Sequence, residues 1–274
     1  MQKTYTFKIK ARNSTSIIDF KEILAYRELF YLLVWRELKV RYRQTVLGIL
    51  WVILQPVITS SIFFIIFSRI AGSYTDEVPY ILFVLSGFTF WNFVNSSVNT
   101  ASISLVYHTQ LVTKVYFPRM MVPLSAVGAF FIDLLLTLVI LFGVMLAYGV
   151  KPTWNWLFTP LFVLFIFIIA SSASLILSSL NVRFRDVKFV VPFFLQVWMF
   201  LSPVFYSSDW VPEKLRLVFA INPVFGCLHG FRHILFDTRW DINILLVSIA
   251  SAVLLLIGSL YLFHKLEEDF ADLL

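Results

Sequence analysis

From Phe189 to Ser208 the chain reads FVVPFFLQVWMFLSPVFYSS, without one charged residue. A run of that length matches a hydrocarbon core about 30 Å thick. Inside lipid every backbone N–H and C=O needs a partner within the protein, so only helices and closed barrels cross it. No strand-dominated pattern or internal repeat accompanies the run, which points to helix. It opens on a basic cluster, Arg183, Arg185, Asp186 and Lys188. Retention of Lys and Arg on the cytoplasmic side places that end inside. Beyond Ser208 the chain stays semi-polar and aromatic as far as Trp240, too apolar for a free loop.

Comparable runs recur along the chain. Val46–Ile70, Tyr80–Tyr107, Val122–Tyr148, Leu157–Leu180 and Asp241–Phe263 join Phe189–Tyr206 to make six expected spans. The balance of 59% hydrophobic to 14% charged residues is far from that of soluble domains, which hold about 25% charged residues. The chain reads as an all-α integral membrane protein. Before the first span, Ile23–Tyr42 has the spacing of an amphipathic helix, with Leu29, Leu32, Leu33, Arg36 and Val40 three to four apart, suited to lying in the headgroup plane. The expected organisation is a cytoplasmic N-terminal segment (1–45), a transmembrane domain (46–263) and a charged tail (264–274). Pro212, Asn222-Pro223, Gly226 and Gly230 predict broken re-entrant helices over about 209–240, on the outer side.

The formal charge of +6 does not point to nucleic acid, because ten Lys and Arg crowd residues 1–46 beside the first span. Such a segment sets topology and meets lipid headgroups. Across the expected topology sixteen Lys and Arg lie inside and six outside, which puts both termini in the cytoplasm. The first long apolar run begins only near Val46, so no cleavable signal is expected.

Polar residues within the spans carry the functional expectations. On the second span Ser86, Thr89, Asn92, Ser96 and Asn99 share one helix face, with Asn95 beside it. Asparagines facing lipid are costly, so this face meets either another helix or a polar conduit. Gln55-Pro56 bends the first span. Asp133 lies well inside the third span with no basic or histidine neighbour there, which favours pairing or polar packing over a proton relay. Ser171, Ser174 and Ser178 form a small-residue stripe for close packing. The outer-end aromatics, Phe88, Phe90, Trp91, Trp198, Phe200, Tyr206 and Trp210, fit an interfacial belt or a surface on which sugar rings stack.

Several chemistries find no support. No G-x-x-x-x-G-K-[ST] phosphate loop occurs, so any ATP-driven step needs a separate chain. Cys227, the single cysteine, lies near His229 and His233, but no carboxylate completes a metal set and Gly230 interrupts the helix. No Ser-His-Asp arrangement or carboxylate pair stands out, so the chain is not expected to be an enzyme.

Three passages together resemble the membrane subunits of bacterial polysaccharide ABC exporters, the ABC type-2 permeases for O-antigen, capsule and teichoic acid. They are VRYRQTVLGILWVILQP (Val40–Pro56), TKVYFPRMMVP (Thr113–Pro123), and Leu180–Tyr206 with its N-V-x-F-R-D start and S-P-V-x-Y end. The resemblance implies a homodimer in the bacterial cytoplasmic (inner) membrane, joined by two cytoplasmic ATP-binding subunits that hold ATP and Mg; no cofactor is implied in this chain. It implies that Leu111, Lys114, Phe117 and Arg119 form a coupling element against the ATPase, with Arg183, Arg185 and Asp186 touching the same partner. The first, second and fifth spans would line the path, through Gln55, Phe88, Trp91, Asn92, Asn95, Asn99, Trp198 and Tyr206. Segments from Trp210 to Phe236 would form an outer gate. The substrate would be a polysaccharide on a lipid pyrophosphate carrier, with Arg41 and Arg43 as entrance candidates for the pyrophosphate. Alternatives within transport are capsule or teichoic acid export and export of a small amphiphile or drug; outside it stand a lipid-linked sugar transferase and a proton-coupled transporter using Asp133.

Overall fold

The computed structural model describes residues 24–43, 48, 50–71, 79–237 and 240–270, and these are helical throughout, with short connections. In chain order the helices are α1 (Arg27–Tyr42), α2 (Leu50–Ala71), α3 (Tyr80–Tyr107), α4 (Thr109–Lys114), α5 (Met121–Ala147), α6 (Thr159–Arg183), α7 (Val187–Leu201), α8 (Glu213–Phe219), α9 (Pro223–Phe236) and α10 (Ile242–Glu267). Single 3-10 turns at Trp154–Phe158 and Ser208–Trp210 precede α6 and α8. Residues 1–23 of the expected N-terminal segment and 271–274 of the expected tail fall outside the described residues.

Four described stretches are long and apolar enough to cross a membrane: Tyr80–Tyr107, Met121–Ala147, Trp154–Arg183 and Ile242–Glu267. Val187–Leu201 is apolar but shorter, and Leu50–Ile66 is an apolar part of the 22-residue α2. The expected fifth span differs most from the structure. Its helix stops at Leu201, where Ser202-Pro203 breaks the ladder, and Val204 to Tyr206 are irregular. Fifteen residues extend only about 22 Å. Pro123 lies in the first turn of α5, where no intrahelical acceptor awaits its missing N–H.

The polar second span is the centre of the molecule. α3 packs against α2, α5, α6 and α7, and α10 covers the far side of α6. Most of the α3 hydroxyls are satisfied within their own helix: Ser86 donates to the Phe83 carbonyl, Thr89 to Leu85, Ser97 to Phe93, Ser102 to Asn99 and Ser104 to Ala101. Their value is small size rather than cross-helix bonding. Buried Ser171, Ser174 and Ser178 on α6 likewise let helices approach closely. Dispersion contacts between fitted surfaces, not water exclusion, hold helices together in lipid. The stacked rings of Phe90 on α3 and Phe231 on α9, 4.2 Å apart and fully buried, are such a contact.

A second cluster closes the end where α3 and α6 finish and α5 and α7 begin. Leu33, Leu105, Val112, Phe117, Val182, Phe263 and Phe270 bring α1, α3, α4, α6 and α10 together there. At the opposite end α9 is held to the break after α7. Asn222 caps α9 by accepting from the Val224 N–H (3.1 Å), accepts from Trp198 Nε1 (2.8 Å) and donates to Ser202 Oγ (2.9 Å). Arg232 of α9 is buried and bonds to Ser86 and to carbonyls of Phe83, Pro203, Val204 and Tyr206.

Gly87 explains how that junction closes. A Cβ built there would overlap the Val204 carbonyl oxygen and lie 2.6 Å from Arg232 Nη2. The obstructing atom is backbone and cannot rotate away. Gly87→Ala is expected to destabilise the protein by about 2–4 kcal/mol, read as a lower melting temperature of purified protein, with Gly143→Ala, which meets nothing within 4 Å, as the unaffected comparison.

Candidate functional site

A cavity of about 180 Å³ lies where the end of α1 meets α2, α3 and α5. Arg41 and Tyr42 close one side; Trp51, Val52, Gln55 and Pro56 come from α2; Thr89, Asn92, Phe93 and Ser96 from α3; Phe130, Asp133, Leu134 and Thr137 from α5. Gly48, with φ of 50°, takes a left-handed turn between α1 and α2 that favours glycine. Pro56 lacks the N–H that would otherwise bond the Val52 carbonyl, so one helix carbonyl beside the cavity is released.

The cavity is polar because of an ion pair placed by tertiary structure. The Arg41 guanidinium donates to one Asp133 carboxylate oxygen and the Tyr42 hydroxyl to the other. Arg41 also lies 3.5 Å over the Phe130 ring. The two charged side chains are 24% and 15% exposed, so this is a partly buried pair rather than a surface one. Burial, with Asp133 next in effect, pushes the Tyr42 hydroxyl up to about 12, which keeps it a donor at neutral pH. Asn92 lines the same cavity, and its side-chain nitrogen is buried with no hydrogen-bond partner among the described residues.

α1 carries a second polar latch one turn earlier. His108, at the α3–α4 junction, receives Arg36 Nη2 at Nδ1 (2.9 Å) and meets Glu37 Oε1 through Nε2 (3.0 Å). A neutral ring protonated at Nε2 satisfies both contacts, accepting from arginine and donating to glutamate. The hydrogen bond from His108, chiefly, holds the Glu37 carboxyl below its usual range. A depressed carboxyl stabilises the fold above its unfolded pKa, and the gain disappears as pH falls through the lower folded value. Glu37→Gln is therefore expected to flatten the decline of melting temperature as pH falls from about 5 down through the lower folded value, measured on purified protein.

The other expected site residues divide between the two ends. At the α4 end Leu111 is half-buried, Phe117 is buried, Lys114 is exposed, and Arg119 donates to the Glu267 carbonyl at 2.6 Å. Arg183, Arg185 and Asp186 are exposed at that same end. Gln55 and Asn92 meet in the cavity with Arg41, whereas Arg43 is exposed outside it. Trp91 and Trp198 pack edge to face at 6.1 Å, Phe88 packs on Phe63, and Tyr206 donates to the Phe200 carbonyl at 3.1 Å. Asn95 is half-buried and Asn99 exposed. The histidines that prompted a metal reading are engaged elsewhere, His229 with Ser208 at 2.9 Å and His233 beside the Trp240 ring.

Sequence reasoning missed the Arg41–Asp133 pair, the His108 latch and Arg232. Asp133 stood out as an intramembrane acid, but its partner is 92 positions away on an element read as interfacial. Arg232 reads in sequence as an outer-side charge; only its isolation within apolar PVFGCLHGFRHILF marked it.

Comparison with known proteins agrees with this architecture. The ABC-2 type transporter family model matches residues 28–236. An O-antigen export system permease protein RfbA of Myxococcus xanthus is 30% identical over 255 residues, covering 92% of this chain and 97% of that one. One of Klebsiella pneumoniae is 29% identical over 241 residues, covering 87% and 92%. The inner membrane transport permease YadH of Escherichia coli K12 is 27% identical over 201 residues, covering 67% and 76%.

Proposed function

Because this chain belongs to the ABC-2 type transporter family, we propose that it is the membrane permease subunit of an ATP-driven exporter that moves a lipid-linked, O-antigen-like polysaccharide out of the bacterial cytoplasm. The observation that carries this reading is near-full-length similarity to two O-antigen export permeases. The polar, aromatic-walled cavity beside the polar helix supports it, since a saccharide path needs both hydrogen-bonding groups and ring faces.

The finer features follow from the same reading. α2 and α7 complete six spans, both termini lie in the cytoplasm, and the segments from Trp210 to Phe236 re-enter the membrane as the outer gate. Two copies pair through faces left open in one copy: Phe189, Phe193 and Phe200 on α7 and Trp51, Ile58 and Ile62 on α2, all exposed. Two ATP-hydrolysing chains, carrying the ATP and Mg, dock on the exposed surface around Lys114, Arg183, Arg185 and Asp186. With Arg41 held by Asp133, Arg43 remains available to the carrier pyrophosphate at the entrance.

The test is co-purification with gene deletion. A stoichiometric ATPase partner and loss of surface polysaccharide on deletion are expected. A chain that purifies alone and acts on lipid-linked sugar without ATP overturns the reading, and an intact surface polysaccharide with altered drug tolerance replaces it with small-amphiphile export.

A further inference from the structure

We infer that a groove between α6, α9 and α10 is a binding site for an acyl chain of a membrane glycerolipid, with the ester end of the lipid at the outer surface. The inference takes from the reading above only which leaflet that is.

The groove, of about 570 Å³, lies among the starts of α6 and α10 and the end of α9. Its walls divide by chemistry. Leu161, Leu164 and Ile168 of α6 and Leu245 and Ile249 of α10 form an apolar stripe, at spacings of three and four that keep them on one face of each helix. Asn155, His233 and Trp240 come from the turn before α6, the last turn of α9 and the residue run just before α10, so the polar groups gather at one end. Trp240 lies against the His233 ring at 4.5 Å, and the exposed Trp154 stands next to Asn155 in the chain. Tryptophans collect at the level of lipid headgroups. At the floor a Cβ on Gly230 would lie 2.5 Å from the Phe162 ring, so α9 closes the groove against α6.

Size and chemistry select the occupant. From Phe158 to Ile168 the wall runs about 15 Å along α6, the depth of one leaflet of a core about 30 Å thick. A volume of about 570 Å³ over that length leaves a cross-section of about 40 Å². A helix about 10–12 Å across needs at least about twice that area. Water does not fill a space with such walls, because apolar cavities stay dry. A saccharide finds hydrogen-bonding groups only at the rim. A hydrocarbon chain matches the apolar length, and the N–H groups of Asn155 and Trp240 suit the ester carbonyls at the polar end. Leu161, Leu164 and Ile249 are exposed, so the groove opens sideways onto the lipid-facing surface and a chain enters it from the bilayer.

The test uses the full-length chain in vesicles of phosphatidylethanolamine and phosphatidylglycerol, with a small fraction of phosphatidylethanolamine carrying a diazirine at mid-chain. Leu164 in the groove and Leu246 outside it are 55% and 58% exposed, and lie five and four residues into helices that start at the same end. Both are expected to take label on irradiation in vesicles. When the protein is first moved into probe-free detergent and then irradiated, Leu164 is expected to keep its label and Leu246 to lose it. The difference should be at least about tenfold, as between an occupied and an empty site. Leu164→Trp, which fills the groove, is expected to remove the retained label from Ile168, and Leu246→Trp, the same enlargement outside it, to leave that label in place. Equal loss at both leucines shows an ordinary lipid annulus and overturns the site. Retained label at Ile168 in Leu164→Trp overturns it too, as does a groove unlabelled in vesicles, which another polypeptide then covers. No readout here involves ATP or polysaccharide. Failure of the exporter reading, seen as unchanged surface polysaccharide after gene deletion, is therefore a separate result.

Discussion

Arg232→Lys is expected to remove most folded protein from the membrane and to lower the melting temperature of what remains. The guanidinium uses all five of its N–H groups. Nε donates to Ser86 Oγ at 3.3 Å; Nη1 donates to the Pro203 carbonyl and to Tyr206 at 3.4 Å; Nη2 donates to Phe83 at 3.0 Å and Val204 at 2.6 Å. Its plane lies 3.5 Å over the Phe83 ring. The acceptors belong to the first two turns of α3 and to the irregular stretch just past the C-terminal end of α7, an end that favours a cation. A lysine brings three donors from one point and no plane, so at least two buried acceptors lose their partner. At about 1–3 kcal/mol for each unsatisfied buried group, the loss is about 2–6 kcal/mol, with Arg232→Ala worse. Size-exclusion profiles and thermal melts of purified protein decide it. A lysine variant that melts like the wild type would show that Arg232 merely fills space.

That junction also shows where a sequence reading ends. The long apolar helices α3, α5, α6 and α10 were legible because length and hydropathy in lipid leave one option, and Asn222-Pro223 announces α9 by its own capping chemistry. The early end of α7 was less legible: Ser202-Pro203 stops the helix, and the irregular Pro203, Val204 and Tyr206 carbonyls beyond it are satisfied by Arg232 of a distant helix. The polar face of α3 was visible, but its division was not. Thr89 spends its proton on its own helix while Asn92 is left unpartnered in a cavity, and neighbouring helices fix that difference. Asp133 likewise announced a need for compensation without showing its source. Pairing across 92 positions depends on how α1 packs along α5, which local spacing does not encode.

The Arg41–Asp133 pair is expected to separate stability from export. Removing one partner leaves the other partly buried and uncompensated, so Asp133→Ala alone should cost about 3–5 kcal/mol, less if Arg41 reaches water. Replacing both, as Arg41→Met with Asp133→Leu, removes the charges together, and a packed apolar pair in such a place is often neutral or stabilising. The double variant is therefore expected to melt within about 1 kcal/mol of wild type, a strongly non-additive result. Export should not recover with stability. The same pair ties α1 to α5 beside the cavity, while Arg36 and Glu37 tie α1 to His108 at the start of α4. If α4 meets the ATPase as proposed, loss of the Arg41–Asp133 tie stops a shift of α4 from reaching the cavity wall through α1. Export of surface polysaccharide should fall at least about tenfold, equivalent to about 1.4 kcal/mol of lost coupling, while the purified double variant still folds. A proton-relay role for Asp133 predicts something else: Asp133→Asn abolishes export whatever stands at 41, and the ion pair contributes nothing to the cycle. Full export by the apolar double variant would reduce the pair to a packing device.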